Sequence, residues 1–200
     1  MSIKNIIASI MIFLPLQLWP CFLPSAIKKL IADRDIRLID AWLTQIAPTS
    51  IRRDIGGKDT IIPLNWSGLI YHIALPEIDC PTPSATCPLC KLKGFHHDYL
   101  GKIEQSHSIQ FNHISGNPKR SVYHAGIDYQ HLSKESTFFP QDWTLRQVAQ
   151  EIATAIRKAK VISHSSNGAI LQGAASDGTQ IIFLITSNWT VGSAYPLKNT

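Results

Sequence analysis

The chain has 200 residues, of which 44% are hydrophobic and 16% are charged. This is enough for one globular domain whose core forms without a metal or a disulfide. The 19 basic and 14 acidic side chains leave a formal charge of +5, which favours acidic partners but does not by itself identify a nucleic-acid-binding protein. No internal repeat or low-complexity tract is present.

Residues 1–26 are predicted to be an export signal. Lys4 precedes an uncharged apolar run from residue 6 to residue 23, and the small pair Ser25 and Ala26 follows it. The run is also long enough for an uncleaved anchor, which is the alternative. The residues around Cys21 lack the small side chains of a lipid-attachment site. We therefore expect a secreted or periplasmic protein with no stable membrane association after signal removal.

An N-terminal helical extension is predicted for residues 27–65. Apolar side chains recur at helical spacing between residues 27 and 47, and Pro48 ends this amphipathic helix. Residues 55 to 58 predict a turn. The stretch from residue 60 to residue 75 is strand-like, although proline and glycine interrupt it. Residues 66–200 are assigned to a second, main domain.

A loop rich in proline and cysteine is predicted for residues 76 to 94. If Cys21 leaves with the signal, an odd number of cysteines remains: Cys80, Cys87 and Cys90. In an oxidising compartment this count predicts one disulfide, with a pairing that the sequence does not determine. The alternative is a zinc site of three thiolates with His96 or His97. We expect the disulfide, because oxidation removes the thiolates that zinc needs.

The second half of the chain indicates an α+β fold. Residues 123 to 129 alternate as a half-buried strand does. Residues 144 to 159 predict a helix that begins with a Thr144–Gln147 capping box. Three further strands, separated by short turns, follow it. The expected architecture is an N-terminal helical part followed by an antiparallel sheet packed on a long helix.

Three motifs then occur in one order: GFHHD at residues 94–98, STFFPQDW at 136–143 and GSAYP at 192–196. Together they resemble the bacterial EndoU-type ribonucleases, which often occur as toxin domains, and the resemblance covers roughly residues 66 to 197. It implies a nuclease fold of the barnase, EndoU and colicin type for the main domain. Taken alone, Phe138, Phe139 and Trp143 predict only a packed core.

The chemistry that this resemblance implies needs three groups. RNA cleavage through its own 2′-hydroxyl requires a base, an acid and a cation that offsets charge on the phosphorane. Two histidines and a lysine supply all three, so the expected site has no metal ligands and requires no cofactor. Whether manganese assists is left open.

The resemblance also implies which residues form the site. His96 matches one histidine of the acid/base pair, and His72 matches the other, with His97, His107, His113 and His124 as rivals for this second position. Lys134 matches the basic residue that contacts the phosphate. Ser193, in place of the usual threonine, and Tyr195 match the closing motif, where they act in catalysis and in placing phosphate and base. His97 is expected on the substrate side.

We therefore expect an exported endoribonuclease that cuts single-stranded RNA at uridine and leaves a 2′,3′-cyclic phosphate. The implied context is an antibacterial toxin that acts in a target cell and has a dedicated inhibitor protein as partner. One alternative is a secreted binding module without enzyme activity, built on a Cys/His disulfide or zinc knot. Another is a nuclease-like fold without activity, since His72 and Ser193 both depart from the family pattern.

Overall fold

The structure is a computed structural model that describes residues 34, 37–39, 41–43, 45–80, 90–98, 109–130 and 132–197. Its strands and helices follow one another in the chain as β1 (Ser50–Ile55), β2 (Lys58–Pro63), α1 (Trp66–Ala74), β3 (Pro76–Asp79), β4 (Lys91–Gly94), β5 (Gln110–Ser115), β6 (Tyr123–Tyr129), β7 (Leu132–Phe138), α2 (Leu145–Lys158), β8 (Lys160–Ser165), β9 (Gly168–Ala174), β10 (Gln180–Ile185) and β11 (Val191–Pro196). All strand pairs within these ranges are antiparallel. The α+β class is therefore confirmed.

Helix α2 packs against a four-stranded sheet with the order β11-β10-β9-β8. The predicted capping box is present: the Gln147 N–H donates to Thr144 Oγ1 at 3.1 Å, and the Thr144 N–H donates to Gln147 Oε1 at 2.7 Å. The predicted strands after the helix correspond to β9, β10 and β11, whereas the adjoining β8 was not anticipated. Helix α2 has 14 residues, which is an ordinary length, so the predicted long helix is not observed.

Residues 66 to 74 form helix α1, so the strand-like interpretation of this stretch is wrong. The side chain of Asn65 caps the helix by accepting the Gly68 N–H at 3.1 Å. The buried residues recur at helical spacing, which outweighs the strand propensity of isoleucine and tyrosine; they are Trp66, Leu69, Ile70, Ile73 and Ala74. The preceding residues 50 to 63, assigned to a helical extension, form the β1–β2 hairpin instead.

The predicted signal, residues 1–26, lies outside the described residues, as does part of the predicted helix at 27 to 47. The described residues between 34 and 46 are all helical, and Leu43 is fully buried. The Arg146 guanidinium lies 4.3 Å from the centroid of the Trp42 ring, which ties this region to α2. Among the described residues, no helix combines the length and apolar character needed to span a bilayer.

The region from residue 76 to residue 94, predicted to be a loop, contains the β3–β4 hairpin. A disulfide joins Cys80 to Cys90 across it, so the predicted disulfide is confirmed and its pairing identified. Neither sulfur is then a thiolate, and the zinc alternative that used both cysteines is wrong. Cys87 lies outside the described residues.

Two hydrophobic clusters meet at the centre of the molecule. The larger one joins the β1–β2 hairpin, both helices and the four-stranded sheet. The smaller one lies under the three-stranded sheet β5-β6-β7 and contains Phe95, Tyr123 and Phe138. The predicted alternation of β6 is confirmed, because Tyr123, Ala125 and Ile127 are fully buried. Helix α1 packs against β11 and β4, and β7 also contacts β4 and β11, so these four elements border the junction between the clusters.

Candidate active site

The junction between the clusters brings five predicted site residues together. His72 lies in the last turn of α1, His96 follows β4, Lys134 lies in β7, and Ser193 and Tyr195 lie in β11. The rings of His72 and His96 have their centroids 5.9 Å apart, and the ring of Tyr195 stacks on that of His96 at 5.4 Å. Residues separated by more than 120 positions in the chain thus form one compact cluster.

The backbone after β4 holds His96 against the end of α1. The N–H of Phe95 donates to His72 O at 2.8 Å, and the N–H of His96 donates to Ile73 O at 2.7 Å. These bonds satisfy carbonyls that the end of a helix leaves without partners. Gly94 makes the approach possible: it has a φ of +67°, and a Cβ there would lie 2.5 Å from His72 O and from Leu75 O.

His72 has a polar partner at each ring nitrogen. Its Nδ1 lies 3.1 Å from Glu77 Oε2, and its Nε2 lies 3.1 Å from Ser193 Oγ. A carboxylate only accepts hydrogen bonds, so Nδ1 carries a proton, and in the neutral ring Nε2 has the lone pair. Glu77 also stabilises positive charge on this ring, as does the nearby C-terminus of α1. The sequence offered no signal for Glu77, since its role depends on the turn between α1 and β3.

His96 is held from the β7 side and is only 8% exposed. Its Nδ1 lies 3.1 Å from the carbonyl oxygen of Thr137 and 2.9 Å from Ser136 Oγ. The N–H at Nδ1 donates a hydrogen bond to this carbonyl oxygen, so the lone pair of the neutral ring is on Nε2. Burial lowers the pKa of His96 well below its usual range; the charges of Lys134 and His72 lower it further, whereas the hydrogen bond to Thr137 acts in the opposite direction.

Lys134 supplies a cation beside His96. Its ammonium group donates a hydrogen bond to the carbonyl oxygen of Gly94, the first residue of the GFHHD motif. Burial lowers the pKa of Lys134 to about 8, while the Glu77 carboxylate acts to raise it. The side chain is therefore mostly charged at neutral pH, but it is an easier proton donor than an exposed lysine.

Ser193 and Tyr195 point to the same face of β11 because side chains two residues apart in a strand do so. The Ser193 hydroxyl reaches His72, and the Tyr195 ring covers His96. Burial raises the pKa of Tyr195, so its phenol stays neutral near pH 7. Serine in place of threonine retains the hydroxyl that the motif needs.

The structure places the rival histidines elsewhere. His97 is 1% exposed, and its ring packs edge-on against Phe139 at 6.5 Å. Burial lowers the pKa of His97 to about 4. The expected substrate contact of His97 is therefore wrong, because a ring enclosed in the core cannot reach RNA. His113 and His124 lie on the face of the three-stranded sheet opposite to Lys134, and His107 lies outside the described residues.

Comparison with known families now bears on this cluster. The family model described as bacterial EndoU nuclease matches residues 85–198, more than half of the chain. The chain belongs to this family. Neither the curated proteins nor the solved structures contain a significant match. The EndoU match includes His96, Lys134, Ser193 and Tyr195, whereas His72 lies before its first residue.

The arrangement can carry out proton-transfer chemistry with the side chains present. One ring is kept neutral by burial and by a neighbouring ammonium group. The other ring, that of His72, is paired with the Glu77 carboxylate and contacts the hydroxyl of Ser193 in β11. This EndoU nuclease domain thus combines a proton acceptor, a group suited to proton donation and a cation at one location.

Proposed function

We propose that the protein is an endoribonuclease that cleaves single-stranded RNA by transesterification through the 2′-hydroxyl. The observation that carries this proposal is the convergence of His72 and His96, with ring centroids 5.9 Å apart and Lys134 beside His96. The 2′-oxygen attacks the adjacent phosphorus, and the bond from phosphorus to the 5′-oxygen of the next nucleotide breaks. The products are a 2′,3′-cyclic phosphate and a free 5′-hydroxyl.

His96 acts as the base in this scheme. Its low pKa keeps the ring neutral at pH 7, and the Thr137 carbonyl oxygen holds the proton on Nδ1. The lone pair on Nε2 is then available to accept the proton of the 2′-hydroxyl. Because the nucleophile is part of the substrate, attack is intramolecular and benefits from its fixed orientation.

His72 acts as the acid. Glu77 and the C-terminus of α1 stabilise the protonated ring, and Nε2 is the nitrogen that can give its proton to the departing 5′-oxygen. In the free protein this nitrogen contacts Ser193 Oγ. RNA would take the place of that contact, with the hydroxyl turning to a phosphate oxygen.

Lys134 offsets the negative charge that develops on the phosphorane. Tyr195 supplies a ring on which a base can stack, a contact worth about 1–3 kcal/mol in other single-strand binders. Preference for uridine is part of the proposal and has its basis in the family. No cofactor is required in this scheme, and manganese assistance is tested by the chelator arm below.

We also propose that residues 1–26 direct the protein to the periplasm or the exterior and that it acts as an antibacterial toxin in a target cell. Export separates such a nuclease from the RNA of the producing cell. An inhibitor protein that covers the site would protect the producer in the same way. These proposals rest on the apolar N-terminal segment and on the family.

The test is incubation of the purified chain with a uridine-containing oligoribonucleotide, with and without chelator. A matched oligonucleotide carries 2′-deoxyuridine at the cleaved position. We expect cleavage of the first alone, unaffected by chelator, with a cyclic phosphate detected by mass spectrometry. His72→Ala and His96→Ala should each lower the rate by about 10²–10⁴-fold, and Lys134→Ala by about 10²–10³-fold. Cleavage of the deoxy substrate, or an active His96→Ala variant, would contradict the mechanism.

A further inference from the structure

A second cluster of ionisable side chains lies on the solvent-facing side of the sheet β5-β6-β7. His113 Nε2 lies 3.2 Å from Glu135 Oε2, and His124 Nδ1 lies 3.5 Å from the same oxygen. One ligand-type atom from each of the three residues lies within 4.8 Å of the others. Each residue comes from a different strand, so the cluster joins all three strands of the sheet.

The hydrogen bonds around His113 determine which of its nitrogens has a lone pair. The Asn112 amide nitrogen donates to Asp128 Oδ1 at 3.2 Å, which turns the Asn112 oxygen towards His113. His113 Nδ1 lies 2.9 Å from that oxygen and therefore carries the N–H that donates a hydrogen bond to it. In the neutral ring, Nε2 then faces the Glu135 carboxylate with a lone pair. A metal ion bound by both atoms would stabilise this arrangement of two acceptors 3.2 Å apart.

The separations suit a metal ion with tetrahedral coordination. Bonds of about 2.0–2.1 Å from zinc to histidine nitrogen and carboxylate oxygen place neighbouring ligand atoms roughly 3.3 Å apart. The two measured separations from Glu135 Oε2, 3.2 and 3.5 Å, lie on either side of this value. Rotation of the partly exposed His124 ring can adjust the third separation, between the two histidine nitrogens, which is within 4.8 Å. The hydrogen bond from His113 Nδ1 to Asn112 is of the kind that orients histidine ligands in metal sites.

Gly126 leaves the space that the cluster occupies. It lies in the middle strand, paired with His113 on one side and with Glu135 on the other. A Cβ at this position would lie 2.8 Å from His113 Cε1 and 2.0 Å from Asn112 Oδ1. The two outer side chains can therefore meet across the middle strand only because this residue has no side chain.

From these observations we propose that the outer face of this sheet binds one zinc ion through His113 Nε2, His124 Nδ1 and Glu135 Oε2. Three protein ligands leave a fourth position for water. The ion has no part in the cleavage scheme, since Glu135 and Lys134 point to opposite faces of β7. It would instead hold β5, β6 and β7 together. By the general order of metal affinities, Mn²⁺ would bind the same site more weakly than Zn²⁺.

The test uses the full chain, stripped with chelator, with its free thiols blocked by iodoacetamide so that cysteine cannot supply ligands. Zn²⁺ alone is titrated by calorimetry. We expect one ion per chain, and at least a tenfold loss of affinity in each of His113→Ala, His124→Ala and Glu135→Gln. Asn112→Ala should lower the affinity for zinc about 10–100-fold, because His113 is no longer held in the orientation that the metal needs. All four positions are solvent-facing, and circular dichroism checks that the variants fold.

Two further variants show where any bound zinc lies. His164→Ala removes an exposed histidine from β8 and should bind zinc as tightly as the unmodified chain does. His72→Ala removes one ring of the candidate active site and should also bind normally. The proposal is overturned if the unmodified chain binds no zinc, if the three ligand variants bind as well as it does, or if only His72→Ala loses binding. This readout is independent of RNA cleavage, so failure of one proposal leaves the other testable.

Discussion

Loss of the proton on Lys134 should slow the enzyme at alkaline pH, in addition to any loss of the proton that His72 supplies as the proposed acid. If its ammonium offsets charge in the transition state, kcat/KM follows the fraction of chains in which this group is protonated. Burial lowers its pKa to about 8. Through Lys134 alone, the rate at pH 9 should then fall to roughly a tenth of the rate at pH 7, and the rate at pH 10 to roughly a hundredth. An exposed lysine would produce no such loss until well above pH 10.

Replacement by arginine tests whether the lysine is responsible. Arginine stays charged throughout this pH range, so Lys134→Arg should lose the part of the decline that Lys134 causes, and its rate should fall less steeply above pH 8, even if its rate at pH 7 is lower. Lys93→Arg is the matched control, because Lys93 is 52% exposed and paired with Asp79. The assay is initial cleavage of a uridine-containing oligonucleotide below KM from pH 6 to pH 10, with spontaneous hydrolysis subtracted.

Unfolding does not explain the expected decline. Because the folded pKa of Lys134 lies below its ordinary value of 10.5, the unfolded chain binds more protons between about pH 8 and pH 10.5. The contribution of this group to stability therefore rises with pH across that window. Circular dichroism at each pH checks this directly. A flat profile for the unmodified chain, or a decline of equal steepness in Lys134→Arg, would refute the role assigned to this lysine.

Three other changes test how the site is built. Gly94→Ala should lower the free energy of unfolding in urea by about 2 kcal/mol or more and the cleavage rate about 100-fold, because the new Cβ meets two carbonyl oxygens at 2.5 Å. Gly57→Ala is the control: Gly57 has a similar φ of +81° and open space around it, so this variant should lower the free energy of unfolding by only about 1 kcal/mol. Replacing Cys80 and Cys90 together by serine should lower the free energy of unfolding by about 2–3 kcal/mol for a sequence separation of 10, and an unchanged urea midpoint would contradict this. Tyr195→Ala should raise KM about 10–100-fold while Tyr195→Phe keeps most of the affinity; equal losses would implicate the hydroxyl rather than the ring.

The parts of the fold that depend on local sequence could be predicted. The capping box of α2 and the alternation in β6 each depend on no more than about ten consecutive residues, and both are present in the structure. Helix α1 was interpreted as strand-like because its isoleucines and tyrosine favour strands. What decides its structure is the cap at Asn65 and the burial of one helical face in the larger cluster, and that burial depends on tertiary packing.

The candidate site was predictable in its residue types but not in its contacts. His96 and Tyr195 lie within motifs of the family and Lys134 lies two residues before one, so the sequence could identify them. Glu77 lies in no motif, and its contact with His72 follows from the turn that carries the chain from α1 into β3. The expectation for His97 was wrong for a related reason: its ring packs against Phe139 in the core, and that contact depends on tertiary packing.

The position of His72 has a consequence for where the functional unit begins. The family match starts at residue 85, but the proposed acid lies on α1, thirteen positions earlier by number. The same helix supplies the carbonyl oxygens of His72 and Ile73 that hold the backbone of Phe95 and His96. Helix α1 in turn depends on the larger cluster, to which both strands of the β1–β2 hairpin and Leu43 contribute. The matched segment alone therefore lacks the proposed acid, and it also lacks the support that positions the proposed base.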